Sequence, residues 1–144
     1  MKKRDGAREN PLLLRHLRGL YNKQIATLAE HSCVCAITRG EYPYVSDMFE
    51  GFLKSDTETL LLISELLLHL GIAPALDVKM RQRIEATDHI DKLICAELER
   101  KRGEIDEILR IYSLTNTPEI LEKVEQMRLN MSENLRALER MALS

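Results

Sequence analysis

The sequence predicts an all-α protein, built as an up-down-up-down antiparallel four-helix bundle. In four long segments the apolar residues recur at alternating spacings of three and four, which is the pattern of a helix with one buried face. Proline or glycine stands between the segments, and nowhere does the apolar and polar alternation of a strand persist. Because each apolar stripe must be covered by another element, four such helices with three connections pack naturally as a bundle.

Composition indicates a single domain over residues 10–144, preceded by a flexible tail over residues 1–9. The net charge of -2 gives no reason to expect binding to nucleic acid or to an anionic membrane. The apolar run at residues 60–70 is interrupted by Glu65 and His69, and it is shorter than the roughly 20 residues that cross a bilayer. Three cysteines, an odd number, suit a reducing compartment, so the cytoplasm is the expected location.

The first two helices are marked by capping residues at both ends. Asn10 is a good N-cap for the first helix, and Pro11 is tolerated because its missing N–H would have no helical partner. Gly40 ends this helix, Pro43 opens the second and Gly71 ends it, since glycine readily adopts the conformation that follows a helix. The apolar stripes are Leu14, Leu17, Tyr21, Leu28 and Cys35 in the first helix, and Val45, Met48 or Phe49, Phe52, Ile63, Leu66 and Leu70 in the second.

The third helix is predicted to begin between Asp77 and Arg83. Gly103 lies inside it, at a cost of about 1 kcal/mol relative to alanine. Thr117 and Pro118 then open the fourth helix as N-cap and first-turn proline. The stripes are Ile84, Ile90, Ile94, Leu98, Ile105, Ile108 and Tyr112 in the third helix, and Ile120, Val124, Met127, Met131, Leu138 and Met141 in the fourth.

Each apolar stripe contains polar residues near its middle. A spacing of three or four continued through the stripes turns these side chains toward the centre of the bundle, where a bundle protein would hold a cofactor or metal. The inward residues are Gln24 and His31 in the first helix, Asp56 and Thr59 in the second, Glu97 and Lys101 in the third, and Met131 and Asn134 in the fourth.

Two stretches carry a resemblance to a known family. The run TLLLISELLLHLGIAP at residues 59–74 resembles the second helix and following loop of ferritin-like proteins of the rubrerythrin and manganese-catalase type. The sequence at residues 93–141 is similar to the third and fourth helices of that family, and the likeness extends over most of residues 10–142. The resemblance implies a ferritin-like bundle, whose members bind two iron or manganese ions through glutamates and Glu-x-x-His pairs.

Carried over residue by residue, the resemblance implies that most metal ligands have been replaced. Only Glu97 keeps the family's residue type. Hard divalent ions favour several carboxylates, and imidazole helps to hold iron, so an oxidase or catalase activity is disfavoured. No catalytic residue and no cofactor are therefore expected. The replaced positions are Gln24 for a glutamate, Asp56 and Thr59 for one Glu-x-x-His pair, and Met131 and Asn134 for the other.

Three interpretations of the polar centre remain open. In the first, the polar residues hydrogen-bond to one another and fix the register of the helices, Lys101 neutralises Glu97, and Met131 fills volume. In the second, Asp56, Glu97 and His31 bind iron or manganese as an unusual ligand set. In the third, the centre binds a small polar molecule. The first agrees best with the residue types present.

Other candidate sites are weaker. Two Glu-x-x-x-His pairs, at residues 65–69 and 85–89, are predicted to be solvated surface pairs, because zinc needs three or four protein ligands. Cys33 and Cys35 lie two residues apart and face different sides of a helix, so they are not a redox pair. Cys35 is predicted to lie in the core and Cys33 at the surface.

The second helix has more leucines than one stripe requires. An apolar band that wraps most of a helix implies burial on more than one side, which predicts a homodimer or another protein partner on this surface. Ferritin-like proteins commonly dimerise through their first helices, so the resemblance allows the same conclusion. The expected function is that of a non-catalytic, dimeric structural or interaction protein. The surplus leucines are Leu60, Leu61, Leu62, Leu67 and Leu68.

Overall fold

The computed structural model describes residues 10–73 and 90–143. Within these ranges the chain is helical and contains no strand, so the predicted all-α four-helix bundle is confirmed. The tail predicted at residues 1–9 and the helix start predicted between Asp77 and Arg83 lie outside the described residues. The helices are α1 (Pro11–Thr38), α2 (Pro43–His69), α3 (Ile90–Ser113) and α4 (Pro118–Leu143).

Local capping explains where α1 begins and where α2 ends. The Asn10 side chain accepts a hydrogen bond from an amide in the first turn of α1 and donates one to the carbonyl of Leu114, just after α3. After α2, Gly71 adopts a φ of 78°, which lets the amide of Ile72 donate to the carbonyl of Leu67 at 2.9 Å. The left-handed conformation of Gly71 thereby brings the amide of Ile72 to a carbonyl that the helix leaves without a donor.

The four helices form a square in which each helix has two neighbours. α1 packs mainly on α2 and α3 mainly on α4, while α2 packs on α4, and α1 on α3 through the least extensive of these interfaces. Contacts between α1 and α3 run antiparallel, because His16 meets Glu107 and His31 meets Glu97. Contacts between α2 and α4 are antiparallel as well.

The helix directions follow the order up-down-down-up, whereas the sequence analysis expected strict alternation. End A of the bundle holds Asn10 and His69, and end B holds Thr38 and Ile90, so α2 and α3 both run from end B to end A. The 20 residues numbered 70–89 join them. At about 3.3 Å per residue they can reach about 65 Å, more than the roughly 40 Å length of α2. A connection of this length allows α2 and α3, which run in the same direction, to lie at diagonally opposite corners of the square.

Within the described residues, two hydrophobic clusters fill the two ends of the bundle. The larger one, at end A, is formed by Leu13, Leu17, Leu20, Ile63, Leu66, Leu67, Leu70, Ile108, Ile111, Ile120, Val124, Met127 and Met131. The smaller one, at end B, is formed by Val34, Cys35, Val45, Phe49, Phe52, Ile94, Leu98 and Leu138.

The buried faces match the predicted stripes closely in α2 and α4 and less closely in α1. In α1, Leu14, Tyr21 and Leu28 are only half-buried, because the helix is rotated toward its two neighbours. A buried arc that faces two helices is wider than one stripe, so a ladder of single positions cannot describe it. The positions of α1 that the ladder omitted and the core includes are Leu13, Leu20, Ala26, Thr27, Glu30, Val34 and Thr38.

The surplus leucines of α2 are partly used inside the bundle. Leu67 is fully buried, and Leu60 and Leu62 are half-buried, because α2 touches both α1 and α4. Leu61 and Leu68 remain 59% and 65% exposed. The outward apolar surface of α2 is therefore smaller than the count of leucines indicated. Among the helices described, none combines the length and the apolar character that a membrane span requires.

Candidate functional site

A layer of buried polar residues separates the two hydrophobic clusters. All four helices contribute to it, and no member is more than 8% exposed. Every polar residue that was predicted from helical spacing to face the centre of the bundle lies in this polar layer. Its members are Gln24, Thr27, Glu30 and His31 from α1, Asp56 and Thr59 from α2, Glu97, Lys101 and Glu104 from α3, and Asn130 and Asn134 from α4.

His31 lies at the centre of the polar layer, between two carboxylates. Its Nδ1 is 2.6 Å from Oδ2 of Asp56, and its Nε2 is 2.8 Å from Oε2 of Glu97. Burial alone would lower the pKa of His31, but the hydrogen bonds to the two carboxylates raise it to about 9. His31 is therefore an imidazolium at neutral pH, and both of its N–H groups donate.

Two aromatic rings hold the imidazolium on the side of end B. Phe49 meets the His31 ring edge-on, with centroids 5.1 Å apart, and Phe52 lies at a centroid distance of 5.7 Å. Since both phenylalanines belong to the end-B cluster, the charged centre and the smaller hydrophobic core are in direct contact.

Glu97 is held by two cations. Besides His31, the guanidinium of Arg100 donates to Glu97 at 2.5 Å and also donates to Glu30 of α1. Burial alone would raise the pKa of Glu97, but the hydrogen bond from His31 and the charges of His31, Arg100 and Lys101 lower it. Glu97 is thus a carboxylate in the polar layer, and Arg100 links it to Glu30.

Lys101 has a different partner from the one expected. Its Nζ lies 2.8 Å from Oε2 of Glu104, one turn further along α3, and Thr27 of α1 donates to the other oxygen of Glu104 at 3.1 Å. Burial alone would lower the pKa of Lys101, but the charges of Glu104 and Asp56 raise it, so the amine stays charged. The contacts to Glu97 come from His31 and Arg100, so Lys101 contributes to the neutralisation of Glu97 through its nearby charge and not as its main partner.

Gln24 joins the central chain of contacts. Its Nε2 donates to Oδ1 and to the backbone carbonyl of Asp56, both at 3.3 Å. Asp56 therefore accepts hydrogen bonds from two residues of α1. Met131 is buried in the end-A cluster beside the polar layer, where it fills volume.

Thr59 and Asn134 make a second set of contacts, between α2 and α4. Asn130 lies 3.5 Å from the hydroxyl of Thr59, and Asn134 donates to the hydroxyl of Ser55 at 3.2 Å. The amide and hydroxyl groups on this side are uncharged, whereas the ionised residues gather between α1, α2 and α3. The structure thus divides the predicted polar centre into an ionic half and a neutral half.

Sequence reasoning missed several charged members of the site. Lys101 follows Glu97 by four residues and Glu104 follows Lys101 by three, so a ladder continued from Glu97 would have found Glu104. Glu30 lies outside the ladder of α1 and is buried because α1 faces two neighbours. Arg100 lies outside the predicted stripe of α3, and its long side chain reaches Glu30 and Glu97 in the polar layer.

The arrangement is a chain of ion pairs, and it does not converge on one point. Asp56 and Glu97 bind opposite nitrogens of His31, so the two carboxylates lie on opposite sides of the ring. Within residues 10–73 and 90–143, no group of three or more His, Cys, Asp and Glu side chains is placed to hold a metal ion. The structure brings the candidate metal ligands Asp56, Glu97 and His31 together. The two carboxylates contact opposite nitrogens of the charged His31 ring and do not point toward one shared position.

The Glu-x-x-x-His pair of α2 points toward α4. His69 lies 2.8 Å from Glu119, and Glu65 accepts from Lys123 at 2.7 Å. Each member of the pair is therefore engaged with a residue of the neighbouring helix. The second such pair, at residues 85–89, lies outside the described residues.

All three cysteines are free thiols. Cys35 is buried in the end-B cluster, and burial raises the pKa of its thiol. Cys33 and Cys95 are exposed, one on α1 and the other on α3. Cys33 and Cys35 face different sides of α1, as their spacing predicts.

Comparisons with family models, with curated proteins and with solved structures found no match for this chain.

Proposed function

We propose that the protein is a non-catalytic bundle of the ferritin-like type, in which the protein's own cations stand where a di-metal centre would be, and that it works as a structural or interaction protein. The observation that carries this proposal is the imidazolium of His31, bridged by Asp56 and Glu97. The resemblance of residues 59–74 and 93–141 supports it. So does the order of helix directions with one long connection, which is a feature of ferritin-like folds.

The balance of charge in the polar layer supports the non-catalytic interpretation. Buried carboxylates are costly unless cations or hydrogen-bond donors compensate them. Metal ions supply that compensation in di-metal bundles, whereas here three protein cations and the neutral donors Gln24 and Thr27 compensate four carboxylates. Binding a divalent ion would require their displacement. The carboxylates are Glu30, Asp56, Glu97 and Glu104, and the cations are His31, Arg100 and Lys101.

The alternatives demand larger rearrangements. An iron or manganese site at Asp56, Glu97 and His31 requires that at least one ring nitrogen of His31 loses its proton. It also requires that both carboxylates turn to the same side of the ring. A small polar ligand would have to replace contacts such as the one between Gln24 and Asp56. Both alternatives break existing ion pairs or hydrogen bonds, whereas the first interpretation keeps them.

The interaction surface that we propose is the outward face of α2. Leu61 and Leu68 lie seven residues apart, two helical turns, and both are exposed. Large exposed apolar side chains on one helix face suit a partner helix, and a second copy of the chain is the simplest partner. Three free thiols agree with a cytoplasmic location, which belongs to the same proposal.

The deciding experiment is elemental analysis of protein purified without chelators, beside a sample that is offered Fe, Mn and Zn and then desalted. We expect well under one metal ion per chain in both samples, and an unchanged Tm after metal addition. One or two ions per chain, lost in Glu97→Gln and retained in the surface control Glu65→Gln, would overturn the proposal and make the polar layer a metal site. The control is suitable because Glu65 is a half-exposed carboxylate that is paired outside the layer.

A further inference from the structure

The interface between α1 and α3 is held by ion pairs that are buried or partly buried. It is the least extensive of the four main helix interfaces. Where α2 meets α4, the ion pairs His69–Glu119 and Glu65–Lys123 are at least 30% exposed on both sides. The side chains of the pairs between α1 and α3 are at most 23% exposed. From end A to end B, these pairs are His16–Glu107, Glu30–Arg100 and His31–Glu97.

We propose that the charge of His31 controls this interface. The interface is closed while His31 carries both of its ring protons, and α1 and α3 separate at end B when one proton is lost. The imidazolium can donate to Asp56 and Glu97 at the same time. A neutral ring has only one N–H, so its other nitrogen would present a lone pair to a buried carboxylate at less than 3 Å. Two acceptors at that distance repel each other, and burial makes the repulsion strong.

The place of the opening follows from the unequal extents of the α1–α2 and α1–α3 interfaces. Asp56 belongs to α2, which shares with α1 the most extensive interface of the bundle, and Gln24 also donates to it. Glu97 belongs to α3, whose interface with α1 is the least extensive. The repulsion is therefore relieved by separating Glu97 from His31, while the α1–α2 and α3–α4 pairs stay packed. Among the described residues the end-B cluster is the smaller of the two, so that end separates first.

The other charged groups of the layer do not replace the lost charge. Arg100 and Lys101 already form ion pairs with carboxylates of the layer. After His31 loses its proton, the four carboxylates of the layer are balanced by only these two cations. The pKa of His31 is raised to about 9, so the interface is closed at neutral pH and the transition falls on the alkaline side. Asp56 of α2 and Glu97 of α3 contact His31 directly, and Arg100 of α3 contacts Glu97. The other charged groups of the layer are Glu30 from α1 and Lys101 and Glu104 from α3, whereas α4 contributes only the uncharged amides of Asn130 and Asn134.

Two native cysteines allow the opening to be measured directly. Cys33 on α1 and Cys95 on α3 are exposed, whereas Cys35 is buried, with a thiol pKa raised by burial, and will label slowly. Nitroxide labels on Cys33 and Cys95 report the separation of the two helices by double electron–electron resonance. From pH 7 to pH 10 we expect a single distance to be joined by a second one, longer by several Å, with a midpoint near the pKa of His31. A distance distribution that stays unchanged through pH 10 would refute the proposal.

Two variants separate the proposed cause from a general alkaline loosening. In Glu97→Gln the amide can donate to the free nitrogen of a neutral His31, so the second distance should be absent at pH 10. His16→Gln is the matched control, because His16 forms a His–Glu pair on the same interface but is 23% exposed. It should leave the midpoint unchanged. An alkaline opening that persists in Glu97→Gln, or that disappears in His16→Gln, would contradict the role of His31, whether or not the layer binds metal.

Discussion

Nε2 of His31 lies 2.8 Å from Oε2 of Glu97, and this contact joins α1 to α3 at the centre of the bundle. On the other side of the ring, Asp56 binds Nδ1 at 2.6 Å. One buried side chain on α1 thus links three of the four helices through charge. Such a link is directional, unlike the packing of the apolar clusters on either side, so it can specify which helices are neighbours.

The stability of the protein should fall as the pH rises above neutrality. The pKa of His31 is about 9 in the folded protein, against 6.5 for a free side chain. A raised pKa adds stability that is complete below pH 6.5 and is lost as the pH rises to the folded value. The difference corresponds to about 3 kcal/mol of unfolding free energy. Urea unfolding at several pH values between 6 and 9.5 should show this decline. His31→Gln should flatten it, and an equal decline in that variant would assign the effect elsewhere.

Acid should weaken the polar layer through Glu97. The pKa of Glu97 is lowered in the folded protein, so its contribution to stability is complete above the value of a free glutamate and is lost as the pH falls through the folded one. We expect Glu97→Gln to be less stable than the native protein at pH 7 and to lose less of its stability between pH 5 and pH 3. Thermal unfolding over that range measures both. Parallel curves for the two proteins would show that Glu97 is not the titrating group.

Removal of Lys101 should be severely destabilising unless Glu104 is removed with it. Lys101→Met leaves the carboxylate of Glu104 buried without its cation, which typically costs about 3–5 kcal/mol. Combining it with Glu104→Gln should restore most of the loss, because the amide needs no counter-charge. The matched control is Lys123→Met, which removes the cation of an exposed pair with Glu65 and should cost less than about 1 kcal/mol. Urea midpoints of Lys101→Met, Glu104→Gln, the double variant and Lys123→Met test the difference, and additive effects of the two single changes at Lys101 and Glu104 would disprove the coupling.

Two glycines should respond to alanine in opposite directions. Gly103 lies on the exposed side of α3, and an added Cβ would meet no atom within 4 Å, so Gly103→Ala should raise the unfolding free energy by about 1 kcal/mol. Gly71 has a φ of 78°, which a side chain disfavours, so Gly71→Ala should lower it by about 1–2 kcal/mol. Urea unfolding of the two variants measures both effects. A gain in stability for Gly71→Ala would contradict the observed end of α2.

The proposed dimer should depend on the outward leucines of α2. Sedimentation velocity of the native chain is expected to show a dimer at micromolar concentration, and Leu61→Glu with Leu68→Glu should give a monomer of unchanged helicity. Leu109→Glu is the matched control, because Leu109 is an exposed leucine, 50% accessible, on α3. It should leave the dimer intact. A native chain that is monomeric at all concentrations would rule out the homodimer and leave the surface for a different protein partner.

Several features were predictable because they depend on local sequence alone. The capping by Asn10 and Gly71 and the buried stripes of α2 and α4 follow from backbone chemistry and from helical period, which operate within a few turns. The same period placed Gln24, Asp56 and Glu97 toward the centre of the bundle. In α1 the prediction was less complete, because a helix with two neighbours buries an arc wider than one ladder.

The partners inside the polar layer were decided only by the tertiary structure. Asp56 and Glu97 bracket His31 because α2 and α3 both run opposite to α1, which the long connection at residues 70–89 allows and four apolar stripes do not determine. Periodicity states which side of its own helix a residue occupies, but it carries no information on which other helix lies there or at what height. The sequence by itself therefore determined a four-helix bundle with a polar centre. The packing of the helices decided that this centre is a chain of ion pairs around one buried imidazolium.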